Sequence, residues 1–139
     1  MSGWLLNTNV VSELRKRDRI NAGVRRWFDS TGEEDLFLSA LTLGEIRKGV
    51  ELLRPRDPAQ ATLLEQWLNN LKKQFGNRLL GIDSEIADRW GRLQAARPLP
   101  IIDALIAATC LRRDLTLVTR NDADFRDLGV SLLNPFTEA

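Results

Sequence analysis

The sequence predicts an α/β domain built on a mostly parallel sheet of four or five strands, and two observations carry the prediction. Short apolar runs, each followed by a polar turn and then by a segment with helical apolar spacing, recur along the chain, which is the order that parallel strands joined by helices require. One later segment, Ala104 to Leu111, is apolar on nearly every side and far short of the roughly 20 residues that span a bilayer, as expected of a helix buried against a sheet.

Trp4 to Leu6 is the first strand, ended by the turn-prone Asn7-Thr8-Asn9. A helix starts near Asn9 and runs through Val10 to Arg17, and a second covers Ala22 to Ser30. After the polar loop Ser30 to Asp35, Leu36 to Ser39 is the second strand and Thr42 opens a helix that reaches Leu53. Pro55 and Pro58 break the chain, and then Leu63, Leu64, Trp67, Leu68, Leu71 and Phe75 mark an amphipathic helix. Leu79 to Ile82 is the third strand. Asp83 caps a helix whose apolar face holds Ile86, Ala87, Trp90 and Leu93. Pro98 and Pro100 precede the buried helix from Ala104, Leu115 to Thr119 is the fourth strand, and Ser131 to Leu133 adds a short fifth. In such sheets ligands bind beyond the carboxyl ends of the strands, the edge that holds Asn7, the turn before Glu45 and the turn from Asn121 to Asp124.

Composition limits the chemistry. The 139 residues suit one domain, and 43% apolar with 28% charged residues is ordinary for a folded globular chain. A net charge of +1 advertises neither nucleic acid nor membrane, so any phosphate contact must come from local clusters such as Arg15, Lys16, Arg17 and Arg19, which by themselves are more simply solvated helix faces. The single cysteine, Cys110, cannot form an internal disulfide and fits a reducing compartment. Neither a signal peptide nor a membrane span is expected, so the cytoplasm is the expected location. There is no histidine. Nucleophile systems built on imidazole and histidine-based zinc sites are therefore excluded, and any catalysis rests on carboxylates.

Glu45, Asp103 and Asp124, with the amide Asn7, are the candidates. Carboxylates from distant segments gathered at one place repel one another and call for a hard divalent cation, Mg²⁺ or Mn²⁺. Each also has a structural explanation. Asn7 can be a turn residue, Thr42 and Glu45 match a capping box, Asp103 can cap the helix that follows it, and Asp122 and Asp124 can simply solvate a turn. Singly, those explanations are favoured. Together the balance shifts, because one parallel sheet brings all four segments to a common edge, and Asp83 serves as a control that is only a cap.

Four stretches in the same order, Trp4 to Arg15, Leu38 to Ile46, Pro100 to Thr109 and Leu117 to Phe125, resemble the motif regions of PIN-domain ribonucleases, in particular VapC-type toxins. The resemblance implies a PIN-like three-layer sandwich and an Mg²⁺- or Mn²⁺-dependent endoribonuclease that hydrolyses RNA, commonly a tRNA. It places Asn7 on the first metal-binding acid, Glu45 on the second and Asp103 on the third. The fourth position falls among Asn121, Asp122 and Asp124, with Asp124 before Phe125 the best-matched carboxylate. It also implies an antitoxin that covers the acidic groove, a homodimer, and operator DNA reached only through the antitoxin. Arg15, Lys16 and Arg120 are candidate RNA contacts, and Thr8 and Ser39 candidate donors behind the metal ligands.

The family pattern has aspartate where this chain has Asn7. A carboxamide is nearly isosteric but neutral, and its NH₂ cannot ligate a cation. The fold is expected to survive and the metal site to weaken. Deliberate silencing of a toxic nuclease is a simpler account of the exchange than divergence. Two alternatives stand beside the nuclease. Asn7-Thr8-Asn9-Val10-Val11 is similar to the signature of haloacid-dehalogenase-like phosphatases, but both of its acidic positions are Asn. The chain could also act only by binding an antitoxin, with Trp27, Trp67 and Trp90 available for interfaces or for the core.

Overall fold

The computed structural model describes residues 3–137. Five parallel strands, β1 (Trp4–Leu6), β2 (Leu36–Ser39), β3 (Leu79–Leu80), β4 (Thr116–Val118) and β5 (Leu132–Leu133), lie in the order β3-β2-β1-β4-β5. The connections are made by α1 (Thr8–Leu14), α2 (Ala22–Asp29), α3 (Ala40–Leu53), α4 (Pro58–Phe75), α5 (Ser84–Ala96) and α6 (Ile101–Arg113). The chain moves outward from β1 through β2 to β3, then crosses back to β4 on the other side of β1. The direction of winding thus reverses between β1 and β4, the place at which open sheets of this kind bind ligands.

Side-chain alternation along the strands divides the core in two. Leu6, Leu36, Leu38 and Val118 face one layer with Val10, Val11, Ile46, Leu68, Leu71 and Phe75 of α1, α3 and α4. Leu5 and Leu117 face the other with Ile106, Ala107 and Cys110 of α6 and Phe125. The sheet therefore lies between two helical layers. Ala104, Ala107 and Ala108 of α6 are fully buried, as the all-round apolar segment requires. Burial pushes the Cys110 thiol up to about 12, so it stays protonated and packs as a small apolar group.

Several boundaries differ from those expected. The first helix is α1, which starts at Thr8 with Asn7 as its N-cap and stops at Leu14, because Arg17 turns to a φ of 55° and opens a short 3₁₀ turn, Arg17–Arg19. α3 begins at Ala40: Ser39, the last residue of β2, accepts the N–H of Leu41 and supplies the cap. Thr42 is consequently buried inside the helix and Glu45 lies in its second turn, which removes the capping-box explanation for both. α6 begins at Ile101 behind Pro100, so Asp103 lies within the first turn and is not the cap. β3 ends at Leu80, and Ile82 is exposed. Asp83 does cap α5, accepting the N–H of Ile86 at 2.9 Å. The last stretch of chain is tied back to α2: Asn21 Oδ1 accepts the N–H of Thr137, and a Cβ at Gly23 would come within 2.3 Å of the Pro135 carbonyl.

Leu38 is 0% exposed in a central strand. Leu38→Ala is expected to lower stability by about 2–5 kcal/mol in urea unfolding, and a loss under about 1 kcal/mol would contradict this packing.

Candidate active site

The sequence candidates gather at the carboxyl edge of β1, β2 and β4. Asn7 follows β1 directly, and its N–H continues the ladder to the Val118 carbonyl at 2.9 Å, which anchors it beside the end of β4. Its Oδ1 accepts the N–H of Thr8 at 3.0 Å and its Nδ2 donates to Thr119 Oγ1 at 3.0 Å. Glu45 reaches the same place from α3, where the Thr8 hydroxyl donates to Glu45 Oε1 at 2.6 Å and lies 3.2 Å from the buried Thr42 hydroxyl. Thr8 thus links the start of α1 to the carboxylate of α3.

Asp103 arrives from α6 and Asp124 from the 3₁₀ turn Asp122–Phe125 that follows β4. Partial burial, with the negative charges of Asp124 and Glu45 nearby, holds the Asp103 carboxyl above its ordinary range. Asp103 therefore feels two carboxylates from two other elements, whereas Asp83, the control, pairs with Arg113 elsewhere on the surface.

The remaining candidates divide. Asp122 is 3.7 Å from Arg126 and accepts from Asn134 Nδ2 at 3.4 Å, so its carboxylate is held by neighbours other than the cluster. Asn121 contributes its backbone N–H to Thr119 Oγ1. Ser39 is fully buried and serves α3 as a cap rather than standing behind an acid. Lys16 pairs with the buried Glu13 at 2.9 Å, and Arg15 lies over the Trp67 ring. The guanidinium of Arg120 lies over Phe136, and its N–H donates to Asn9 Oδ1. Thr119 is the residue to which sequence reasoning gave no role. Its only signal was its place at the end of a strand facing the turn that carries Asp124.

The donors suit a hard cation, since every side chain in the set offers oxygen and the acids repel one another without a positive partner. Among the described residues no three Asp, Glu or Cys side chains stand close enough to hold one ion between them. A cavity of about 290 Å³ between α1, α2 and α4, lined by Leu14, Phe28, Trp67 and Phe75 among others, includes none of these acids.

The PIN-domain family model matches residues 4–130, which contain all four candidate positions. The chain belongs to the PIN-domain family. Plasmid stability protein StbB of Pseudomonas syringae pv. tomato is 34% identical, over 95% of this chain and 97% of that protein. Toxin FitB of Neisseria gonorrhoeae is 33% identical over the same shares, and the solved structure of FitAB bound to an IR36 DNA fragment superposes with a TM-score of 0.84 at 30% identity, over 98% of this chain and 97% of that one. VapC ribonuclease Y4jK of Sinorhizobium fredii is 28% identical over 97% of this chain and 99% of its own length.

A carboxyl that is harder to ionise when folded binds its proton more tightly than in the unfolded chain. Asp103 therefore opposes folding increasingly as pH rises from its ordinary value, near 3.8, through its raised one. Asp103→Asn is expected to gain stability over the unaltered chain between acid and neutral pH in thermal melts without divalent ions. A difference that stays flat across that range would contradict the charge crowding.

Proposed function

We propose that this PIN domain is an endoribonuclease of the VapC toxin type whose site is weakened by Asn7. The carrying observation is the placement of Glu45, Asp103 and Asp124, from three separate elements, at the edge beside position 7, where burial and the charges of Asp124 and Glu45 hold Asp103 above its ordinary range; the PIN membership and the ribonuclease name of the Sinorhizobium relative support the assignment.

In this reading Asp103, Glu45 and an acid at position 7 hold Mg²⁺ or Mn²⁺, with Asp124 as the fourth acid. When bound, the ion lowers the pKa of water and offsets charge on the phosphate. The chain's own groups do the rest. Thr8 fixes one oxygen of Glu45 by its 2.6 Å hydrogen bond. Arg120, beside Asn121, guides the phosphodiester in this reading, with Arg15 at the end of α1. Asn7 supplies a neutral amide whose NH₂ is turned to Thr119, so the cluster carries one negative charge fewer than the aspartate of the family pattern would give it.

The substrate in this reading is RNA, a tRNA by resemblance, and the partner is a cognate antitoxin in the cytoplasm. The apolar cavity between α1, α2 and α4 suits an apolar segment of that partner. The exposed Ile101 and Ile102, with Leu52 and Leu63, are available for pairing of two copies. Operator DNA is contacted through the antitoxin, in keeping with the FitAB complex on DNA. No helix among the described residues is long and apolar enough to cross a membrane.

Cleavage of total tRNA during a titration of Mg²⁺ or Mn²⁺ tests the assignment. Asn7→Asp is expected to raise the rate by about 100-fold or more, roughly 3 kcal/mol of transition-state stabilisation, and a further Asp103→Asn change is expected to abolish the gain. Equal rates for the chain as written and Asn7→Asp would overturn the site.

A further inference from the structure

A hydroxyl oxygen offers two lone pairs and one proton, and at Thr119 that capacity is exceeded. Three donors converge on Oγ1: the backbone N–H of Asn121 at 3.1 Å, Nδ2 of Asn9 at 3.3 Å and Nδ2 of Asn7 at 3.0 Å. Thr119 is 0% exposed, so solvent does not relieve the crowding, and its own proton meets no acceptor among the described residues.

Reversing an amide does not resolve the conflict. Asn7 Oδ1 accepts the backbone N–H of Thr8, and Asn9 Oδ1 accepts the backbone N–H of Arg120 at 3.1 Å. Turning either side chain over would set an NH₂ against a main-chain donor, and a buried unmade hydrogen bond costs more than a made one contributes. The backbone of position 7 is itself held to Val118, which keeps the residue beside the end of β4.

We propose that Thr119 is the positioning residue for the side chain at position 7, donating its hydroxyl proton to an acceptor there, so that the pocket is built for a carboxylate. With an aspartate, Thr8 N–H and the Thr119 hydroxyl each find an oxygen, Asn9 and Asn121 take the two lone pairs of Oγ1, and every group is satisfied. Asn7 meets only half of that demand. The hydrogen bonding stands on the geometry alone; only its consequence for cation binding rests on the nuclease reading. A carboxylate held by two donors keeps one orientation, which is what a ligand position needs.

Thermal midpoints of four proteins test this: the chain as written, Asn7→Asp, Thr119→Val and the double variant. Charge repulsion from the new carboxylate, and the N–H groups of Asn9 and Asn121 stranded by valine, occur in both arms of the cycle and cancel, so the coupling compares the bond from Thr119 to aspartate with the bond from Asn7 Nδ2 to Thr119. Asn7→Asp is expected to change the midpoint more favourably when Thr119 is intact than in the Thr119→Val background, by about 3 °C, and Thr119→Ser to keep that difference. In the Asn7→Asp protein, Thr119→Val is expected to weaken Mn²⁺ binding about 10-fold, measured calorimetrically, with Thr119→Ser restoring it. Zero coupling overturns the proposal, as does Mn²⁺ binding that is indifferent to valine. Coupling in a protein that binds no Mn²⁺ at all upholds the positioning role and removes the nuclease reading. Where Thr119→Val does not fold, NMR of Asn7→Asp decides: a Thr119 hydroxyl proton in slow exchange at neutral pH is expected, and one averaged with water overturns the proposal.

Discussion

The parallel pairing of β1 with β4 is the contact on which the site depends. Trp4, Leu5 and Leu6 lie against Thr116, Leu117 and Val118, segments more than 100 residues apart, and the ladder ends with the Asn7 N–H on the Val118 carbonyl. Every polar group at the rim is placed by reference to that end. Asn7 and Thr119 are the first residues beyond the two strands, Thr8 starts α1 from the same point, and Asp124 follows β4 by one short turn. Burying Leu6 and Val118 in one layer and Leu5 and Leu117 in the other holds the register, because a slip of one residue would send each side chain to the wrong face.

Charge crowding at that rim opposes the folding that creates it. Helices on both faces bring carboxylates together: Glu45 from α3 on one side, Asp103 from α6 on the other. Partial burial and like charges both work against ionisation of Asp103. Several other acids have a cationic neighbour, as with Glu51 and Glu65 between Arg47 and Arg54, or Glu13 with Lys16. The contrast marks the rim as a place where stability is given up for charge density, as sites that bind cations require. Asn7 relaxes the charge but leaves a hydroxyl with more donors than it can accept.

The layers and sheet were legible because burial leaves a period in the sequence. The apolar run Leu36 to Leu38, helical spacing from Leu63 to Phe75 and the apolar run of α6 each report a fully or half-buried segment. Caps were less legible. Thr42 and Glu45 have capping-box spacing, yet Ser39 three residues earlier supplies the cap, and nothing local distinguishes the two hydroxyls until the end of β2 is known. Asp103 looked like a cap because the preceding Pro100, which can begin a helix but not donate to one, set the start three residues earlier than Ala104 implied. The convergence of Asn7, Glu45, Asp103 and Asp124 was inferable only from topology. Thr119 was invisible, since a strand-ending threonine looks ordinary until three donors from separate turns are seen to meet at its oxygen.

The central claim is that this rim is a cation pocket completed by a carboxylate at position 7. Crystals of the Asn7→Asp protein soaked in Mn²⁺ and measured for anomalous scattering test it most directly. The account predicts one or more peaks within about 2 to 2.5 Å of the Asp103 carboxylate and of the side chain at position 7. Clear density for both side chains with no peak between them, or manganese bound only elsewhere on the surface, would contradict it.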